Sequence, residues 1–138
     1  MKLSQASVVL TGASGGIGAA TARRLVYEGA RVLLVGRTRR TLVELASDLA
    51  GGIPNRSRLD ALIVDVTTEA GRRSVLDAAR ARNANVLINN AGISAFGALG
   101  SLVDREVEAA VATNLLAPIL LTSDLLPHLA KQPPALVI

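Results

Sequence analysis

The most informative part of the sequence is SVVLTGASGGIG, residues 7–18. The apolar, β-branched run up to Thr11 predicts a buried strand, and the residues after Gly18 have the composition of a helix. Gly12 allows a sharp turn, Gly16 lets the backbone approach a phosphate group, and Gly18 lets the helix pack tightly on the sheet. Because a helix N-terminus attracts anions, this loop predicts a diphosphate site, with a merely flexible turn as the alternative.

Apolar runs and helical segments alternate along the rest of the chain. The runs are continuously apolar, as expected for strands of a parallel sheet that helices cover on both faces. This alternation predicts one α/β domain over residues 1–138, built on a doubly wound (Rossmann-type) parallel sheet. The predicted strands are residues 7–11, 31–36, 61–66, 85–89 and 135–138, and the predicted helices are residues 16–29, 38–50, 67–82 and 101–130. Pro118 is expected to kink or break the last helix.

The composition is that of one compact globular domain. Half of the 138 residues are apolar and 19% are charged, which excludes a disordered chain. Aromatic residues make up 1% of the chain, which argues against single-stranded nucleic-acid binding by base stacking. The formal net charge is +4, but the arginines are scattered, and this also argues against a nucleic-acid partner. With no cysteine and one histidine, we expect neither disulfides nor a metal site.

A second motif, Asn89-Asn90-Ala91-Gly92, follows the predicted fourth strand. Together with the Gly-x-x-x-Gly-x-Gly spacing of the first loop, it resembles the short-chain dehydrogenase/reductase family, classical type, over the whole chain. The resemblance implies an oxidoreductase that binds a nicotinamide dinucleotide. It assigns cofactor binding to Gly12, Ser14, Gly15, Gly16, Ile17, Gly18, Asn90, Ala91 and Gly92.

Three further residues take their roles from the same resemblance. Asp65 and Val66 resemble the pair that meets the adenine, and a cap for the following helix is the alternative role for Asp65. Asn114 resembles the catalytic Asn that holds a water molecule in the proton relay, and a solvated or backbone-bonded Asn is the alternative. Asn89 and Asn90 have an alternative as turn formers, because Asn tolerates unusual backbone angles.

The end of the second predicted strand bears on the choice of nicotinamide cofactor. NAD-specific sites of this type place an acidic residue there, which bonds the ribose 2′-hydroxyl. This chain has Gly36 instead, followed by Arg37, whose planar guanidinium matches phosphate oxygens. We therefore expect NADP(H) to be preferred over NAD(H). The alternative, a solvated arginine run, fits Arg39 and Arg40 better than Arg37.

The proton-transfer residues of the family do not occur in this sequence. The family uses a Ser and a Tyr-x-x-x-Lys pair after the fifth strand, whereas this chain ends at Ile138, so we expect a sheet truncated after that strand. The one tyrosine, Tyr27, is expected to pack against the sheet, and neither Lys2 nor Lys131 fits the partner role. We therefore expect the cofactor-binding half of an NADP(H)-dependent oxidoreductase, with little or no activity alone. A non-catalytic NADP-binding regulatory module and an interaction scaffold are the alternatives.

Partners and location follow from the resemblance and from the apolar runs. The resemblance implies a carbonyl or alcohol substrate in the full-length parent, and a homo-oligomer, since the leucine-rich region 114–126 faces a partner subunit in the family. The N-terminus does not read as a signal peptide, and the longest apolar run, residues 115–121, is shorter than a membrane-spanning helix. We expect a cytoplasmic protein with no membrane or nucleic-acid partner.

Overall fold

The core of the structure is a parallel β-sheet. The computed structural model describes residues 1–51 and 58–138, and within these ranges five strands form one sheet. The strands are β1 (Ser7–Thr11), β2 (Arg31–Gly36), β3 (Leu59–Ile63), β4 (Val86–Ile88) and β5 (Leu136–Val137). Their order across the sheet is β3-β2-β1-β4-β5, and every pairing is parallel. The direction of winding reverses beside β1, so the predicted doubly wound sheet is confirmed.

Helices cover both faces of the sheet. They are α1 (Gly16–Tyr27), α2 (Arg39–Gly51), α3 (Glu69–Ala81), α4 (Asp104–Val111) and α5 (Ala117–Leu129), with short 3-10 helices at Leu3–Gln5 and Leu99–Ser101. Val8 and Leu10 of β1 lie in one buried cluster with side chains of α1 and α2, whereas Val9 lies in a second cluster with side chains of α3 and α5. Successive residues of a strand point to opposite faces, so a strand buried on both sides is apolar throughout.

The third strand is displaced from its predicted position. The prediction was residues 61–66, whereas β3 covers Leu59–Ile63, and its last pair with β2 joins Ile63 to Gly36. Apolar composition cannot separate the end of a strand from an extended loop that follows it. As a result, Asp65 and Val66 lie in the loop at the carboxyl edge of the sheet rather than inside the strand.

Pro118 does not break the last helical region. Residues Ala112–Leu116 form a π-helical turn, in which the Ala117 N–H donates to the Ala112 carbonyl, and α5 continues directly from it with Pro118 in its first turn. The helix is continuous through this point, and π-helical turns occur as single turns within α-helices. The predicted kink or break is therefore replaced by a local widening of the helix.

The continuous helical stretch Asp104–Leu129 bears on the expectation that no segment could span a membrane. It has 26 residues and is long and apolar enough to cross a bilayer by length and composition alone, a test that the core helix of a globular protein also passes. One side of it nevertheless packs on the sheet, as a core helix does: Ala117, Leu121, Leu125 and Leu129 are buried. The cytoplasmic location stays a prediction.

Candidate functional site

A cavity of about 480 Å³ opens at the carboxyl edge of the sheet. This volume lies in the range of small-molecule sites, and the carboxyl edge near the reversal of strand order is where open α/β sheets bind ligands. The twelve residues predicted to bind a cofactor all line it, from four separate segments of the chain: Gly12, Ser14, Gly15, Gly16, Ile17, Gly18, Arg37, Asp65, Val66, Asn90, Ala91 and Gly92. The structure therefore brings these residues together, while their role in binding stays a prediction.

The loop between β1 and α1 has the shape that its glycines predict. Gly12 has φ +62°, and a Cβ built on it would lie 2.7 Å from the Ala91 Cα. A Cβ on Gly18 would overlap the carbonyl oxygen of Gly12, so the helix approaches the loop more closely than any side chain permits. Gly16 differs from both, because a Cβ there would meet no heavy atom of the described residues within 4 Å, apart from its own helix backbone. The first two glycines are thus required by the fold itself, and Gly16 leaves one side of the cavity open.

A hydrogen-bonded connection ties this loop to the segment that follows β4. The Asn90 side-chain amide donates to the carbonyl oxygens of Thr11 (3.0 Å) and Gly12 (3.1 Å). The Thr11 hydroxyl accepts from the backbone N–H groups of Asn90 and Ala91, each at 3.0 Å, and donates to the carbonyl of Ile88. No sequence motif marks Thr11 as a residue of the site. The available signal was a polar residue at the end of an otherwise apolar, buried strand.

The alternative for Asn89 and Asn90 as turn formers is wrong. Among the described residues, the non-glycine residue with positive φ is Asn83, so neither of the two adopts an unusual backbone angle. Asn89 instead donates its side-chain amide to the hydroxyl of Thr122 in α5, at 3.2 Å. Both residues therefore act through their side chains, one towards α5 and the other towards the glycine loop.

Asp65 lines the cavity from the loop that follows β3. Its Oδ1 accepts from the backbone N–H (2.9 Å) and the hydroxyl (2.7 Å) of Thr67, and its Oδ2 lies 3.9 Å from Nη1 of Arg37. Burial raises the pKa of the Asp65 carboxyl, but the two hydrogen bonds from Thr67 and the charge of Arg37 outweigh it, so the pKa lies below its ordinary value. The alternative role as a helix cap is wrong, because Thr68 caps α3 by accepting from the Gly71 N–H.

The end of β2 also lines the cavity. A Cβ on Gly36 would lie 3.7 Å from the Ser14 hydroxyl oxygen and 3.3 Å from Cδ1 of Leu42, so Gly36 keeps this corner of the cavity free of side chain. Arg37 follows with a side chain that is 56% exposed. Seven further residues line the cavity without having been predicted to bind a cofactor, and each adjoins or lies near a predicted site residue: Val35, Gly36, Thr38, Val64, Thr67, Ile93 and Thr113.

Asn114 lies beside the cavity and does not line it. It occupies the π-helical turn, where its Oδ1 accepts from the Ile93 N–H (2.9 Å) and its Nδ2 donates to the Ile93 carbonyl (2.7 Å). The side chain is therefore bonded to backbone, as one alternative proposed, and its role in holding a water molecule stays a prediction. Tyr27 lies at the end of α1 with 83% of its surface exposed, so the expectation that it packs against the sheet is wrong.

Comparison with known proteins places this geometry in a family. The profile of the short chain dehydrogenase family matches residues 6–138. Serine 3-dehydrogenase of Agrobacterium fabrum is 34% identical over 133 residues, which cover 91% of this chain and 49% of that protein.

Two solved structures have the same fold over nearly the whole chain. The NADPH-bound short chain oxidoreductase of Pseudomonas aeruginosa, which contains an atypical catalytic center, has a TM-score of 0.89 at 29% identity. L-Sorbose reductase of Gluconobacter frateurii, complexed with NADPH and L-sorbose, has a TM-score of 0.87 at 28% identity. In both comparisons 99% of this chain and 53% of the other is covered, so the chain spans about half the length of these relatives. With the family profile matched from residue 6 to the last residue, this chain belongs to the short chain dehydrogenase family.

Proposed function

We propose that this chain is the cofactor-binding half of an NADP(H)-dependent oxidoreductase, which transfers a hydride between the nicotinamide and a carbonyl or alcohol substrate. The observation that carries the proposal is the cavity at the carboxyl edge, into which the glycine loop, the end of β2 and the segment after β4 all converge. The family supports the oxidoreductase class, and the NADPH-bound structures of two relatives support the cofactor class.

The residues of the glycine loop fit a dinucleotide diphosphate. Helix α1 begins at Gly16, so the N–H groups of its first turn have no partner within the helix and point toward the loop. Among the described residues, no heavy atom outside its own helix backbone lies within 4 Å of a Cβ on Gly16, which leaves room for phosphate oxygens to approach the backbone. Positive helix-dipole charge and unpaired N–H groups together favour an anion there.

Gly36 and Arg37 support the preference for NADP(H). Gly36 places no carboxylate at the corner of the cavity where an acidic residue would repel a 2′-phosphate, and Arg37 brings a permanent positive charge next to it. A charge-assisted hydrogen bond contributes about 1.5–3 kcal/mol, which corresponds to roughly a 10- to 150-fold difference in affinity. We therefore propose that Arg37 binds the 2′-phosphate and that Asp65 and Val66 meet the adenine.

Calorimetric titration with NADPH and NADH tests this assignment. We expect tighter binding of NADPH by the unaltered chain, and a reversed preference in the double variant Gly36→Asp/Arg37→Ala. Arg40→Ala is the matched control, because Arg40 is an exposed arginine of α2 that pairs with Glu44 one turn away. Equal affinity for the two cofactors, or tighter NADH binding by the unaltered chain, would overturn the proposed preference.

Hydride transfer by the chain alone is expected to be very weak. A bound nicotinamide supplies the hydride donor or acceptor, while this chain's own residues bind and orient the dinucleotide. The sequence contains no Tyr-x-x-x-Lys, and the exposed Tyr27 does not line the cavity. General acid–base catalysis contributes about 10²–10⁴-fold, so without it turnover should be close to background. Tight NADPH binding by the chain alone, together with a biological role that needs no further segment, would instead favour the alternative of a non-catalytic NADP-binding module.

We also propose that the chain forms homo-oligomers through the exposed apolar side of α4 and α5. Val107, Val111, Leu115 and Ile119 are 40–55% exposed at successive four-residue spacings, so they form one apolar stripe. Size-exclusion chromatography with light scattering tests this, with a clean monomer at high concentration as the contrary result.

We propose a cytoplasmic location and no nucleic-acid or membrane partner, which fractionation and vesicle co-sedimentation would check.

A further inference from the structure

The loop from Asp65 to Thr68 forms one wall of the cavity and is fixed at the start of α3. The Thr68 hydroxyl donates to the Asp65 carbonyl (2.8 Å) and accepts from the Gly71 N–H (3.0 Å). A Cβ on Gly71 would overlap the Asp65 carbonyl oxygen, so the helix backbone lies directly against the loop. The position of Asp65 is thus coupled to the first turn of α3.

Arg72 adds a connection from this loop to α5. Its side chain is only 11% exposed, its Nε lies 3.3 Å from Oδ2 of Asp124, and its Nη1 donates to the Thr67 carbonyl at 3.2 Å. Thr67 in turn donates both its N–H and its hydroxyl to Asp65, whose other carboxylate oxygen lies 3.9 Å from Arg37. One continuous set of polar contacts therefore runs from Asp124 of α5 to the Arg37 guanidinium at the cavity.

The neighbouring arginine shows that this arrangement is particular to one position. Arg73 is 71% exposed and pairs with Glu69 on its own helix, at 2.8 Å. Arg72 differs in being nearly buried and in contacting two other segments with its guanidinium. The planar fork of an arginine suits such a bridge, because its several N–H donors are held in fixed directions.

We propose that Arg72 is a positioning residue for the adenosine end of the cofactor site. It holds the Thr67 carbonyl against α5 and thereby orients Asp65 and Arg37 before the ligand arrives. This inference rests on the proposed function, since it assumes that these two residues meet the adenosine 2′-phosphate end of a dinucleotide. Without the bridge, the loop has more freedom, which ligand binding must then remove at a cost in affinity.

The test compares two ligands, of which only one reaches the adenosine end of the site. The probe 2′,5′-ADP reports on the adenosine end, whereas inorganic pyrophosphate reports on the glycine loop. In Arg72→Met we expect the dissociation constant of 2′,5′-ADP to rise about 5- to 10-fold, the size expected for ordering one or two extra side chains. The dissociation constant of pyrophosphate should stay within about twofold, because the Arg72 guanidinium makes its polar contacts with Asp124 and Thr67, which lie outside the glycine loop. General loss of structure would weaken the binding of both ligands alike.

Three further variants make the result specific. Arg73→Met is the matched control and should leave both dissociation constants unchanged. Arg72→Lys retains the charge but not the fork, and should give an intermediate loss. Asp124→Asn leaves Arg72 in place and removes only the charge of a 45% exposed partner, so it should weaken 2′,5′-ADP binding in the same direction even if Arg72→Met fails to fold.

The outcomes separate this inference from the proposed function. If the unaltered chain binds neither NADPH nor 2′,5′-ADP, the proposed function and this inference both fail. If the unaltered chain binds them and Arg72→Met and Asp124→Asn bind 2′,5′-ADP equally well, only the role of Arg72 is overturned. Equal weakening of 2′,5′-ADP and pyrophosphate in the folded Arg72→Met variant would also overturn it.

Discussion

Alanine at Gly16 and alanine at Gly18 should have opposite effects on the stability of the free chain. Both residues lie in the first turn of α1, two positions apart, and both line the same cavity. The added methyl group of Gly18→Ala would overlap the carbonyl oxygen of Gly12, which is backbone and cannot swing aside as a side chain would. The methyl group of Gly16→Ala would meet no other segment within 4 Å in the part of the chain that the structure describes.

The magnitudes follow from these contacts. Overpacking of this kind costs about 1–3 kcal/mol, whereas replacing an unstrained glycine by alanine stabilises a protein by about 0.4–1 kcal/mol. For a chain of 138 residues the entropy of unfolding is about 0.3 kcal/mol/K, so 1 kcal/mol shifts the Tm by about 3–4 °C. Gly18→Ala should therefore lower the Tm by about 3–10 °C, and Gly16→Ala should raise it by about 1–4 °C.

Cofactor binding should nevertheless weaken in both variants. In Gly16→Ala the methyl group takes the open space that we assign to phosphate oxygens, and a clash of about 1–3 kcal/mol corresponds to a loss of roughly 5- to 150-fold in NADPH affinity. Thermal unfolding without ligand and calorimetric titration with NADPH are the two measurements. A Tm that Gly16→Ala lowers as much as Gly18→Ala does would refute the open space at Gly16, and NADPH binding by Gly16→Ala as tight as that of the unaltered chain would refute its use by phosphate oxygens.

Three other predictions concern the packing, hydrogen bonding and charge of the same structure. Leu125→Ala should reduce the free energy of unfolding in urea by about 2–5 kcal/mol, because Leu125 is fully buried between α5 and the sheet. Leu126→Ala is the control, because Leu126 is 54% exposed, and it should change the same free energy by less than about 0.5 kcal/mol. Thr11→Val should lower the free energy of unfolding by about 1–3 kcal/mol for each of the two backbone N–H groups that lose their acceptor. Thr11→Ser keeps the hydroxyl and should lower it less. Equal losses of stability in the two variants would show that the hydroxyl is not responsible. The pKa of Asp65 is lowered in the folded chain, so the stabilisation from its charged form is complete above the ordinary value of 3.8 and disappears as the pH falls through the folded pKa. The stability difference between the unaltered chain and Asp65→Asn, measured from pH 7 down to pH 3, should therefore shrink towards acid pH, and a difference that grows there would contradict the assigned direction.

Much of the site could be predicted because its residues lie at the ends of short, strongly patterned segments. The continuous apolar runs identified each strand, and parallel strands bring their carboxyl ends to one edge. Residues that follow those runs, such as Gly12, Arg37 and Asn90, must then meet at that edge. The predicted limits of the third strand were less accurate, because Val64 and Val66 are as apolar as the residues of β3 itself.

The contacts made by individual side chains could not be predicted in the same way. The position of Thr11 next to Ile88 depends on the pairing of Leu10 with Ile88, between strands that are separated by 75 residues or more. The bridge from Arg72 to Asp124 likewise joins residues 52 positions apart, and no local pattern distinguishes Arg72 from Arg73.

By itself, the order of residues was enough to establish the alternation of strands and helices, the family and the glycine loop, because these depend on spacing along the chain. The tertiary structure alone established which polar groups are satisfied by one another, that Tyr27 is exposed, and that the helix widens ahead of Pro118 instead of breaking. The physical reason is that hydrogen bonds and ion pairs need atoms within about 3–4 Å, and only the register of the sheet and the packing of helices on it bring distant residues that close.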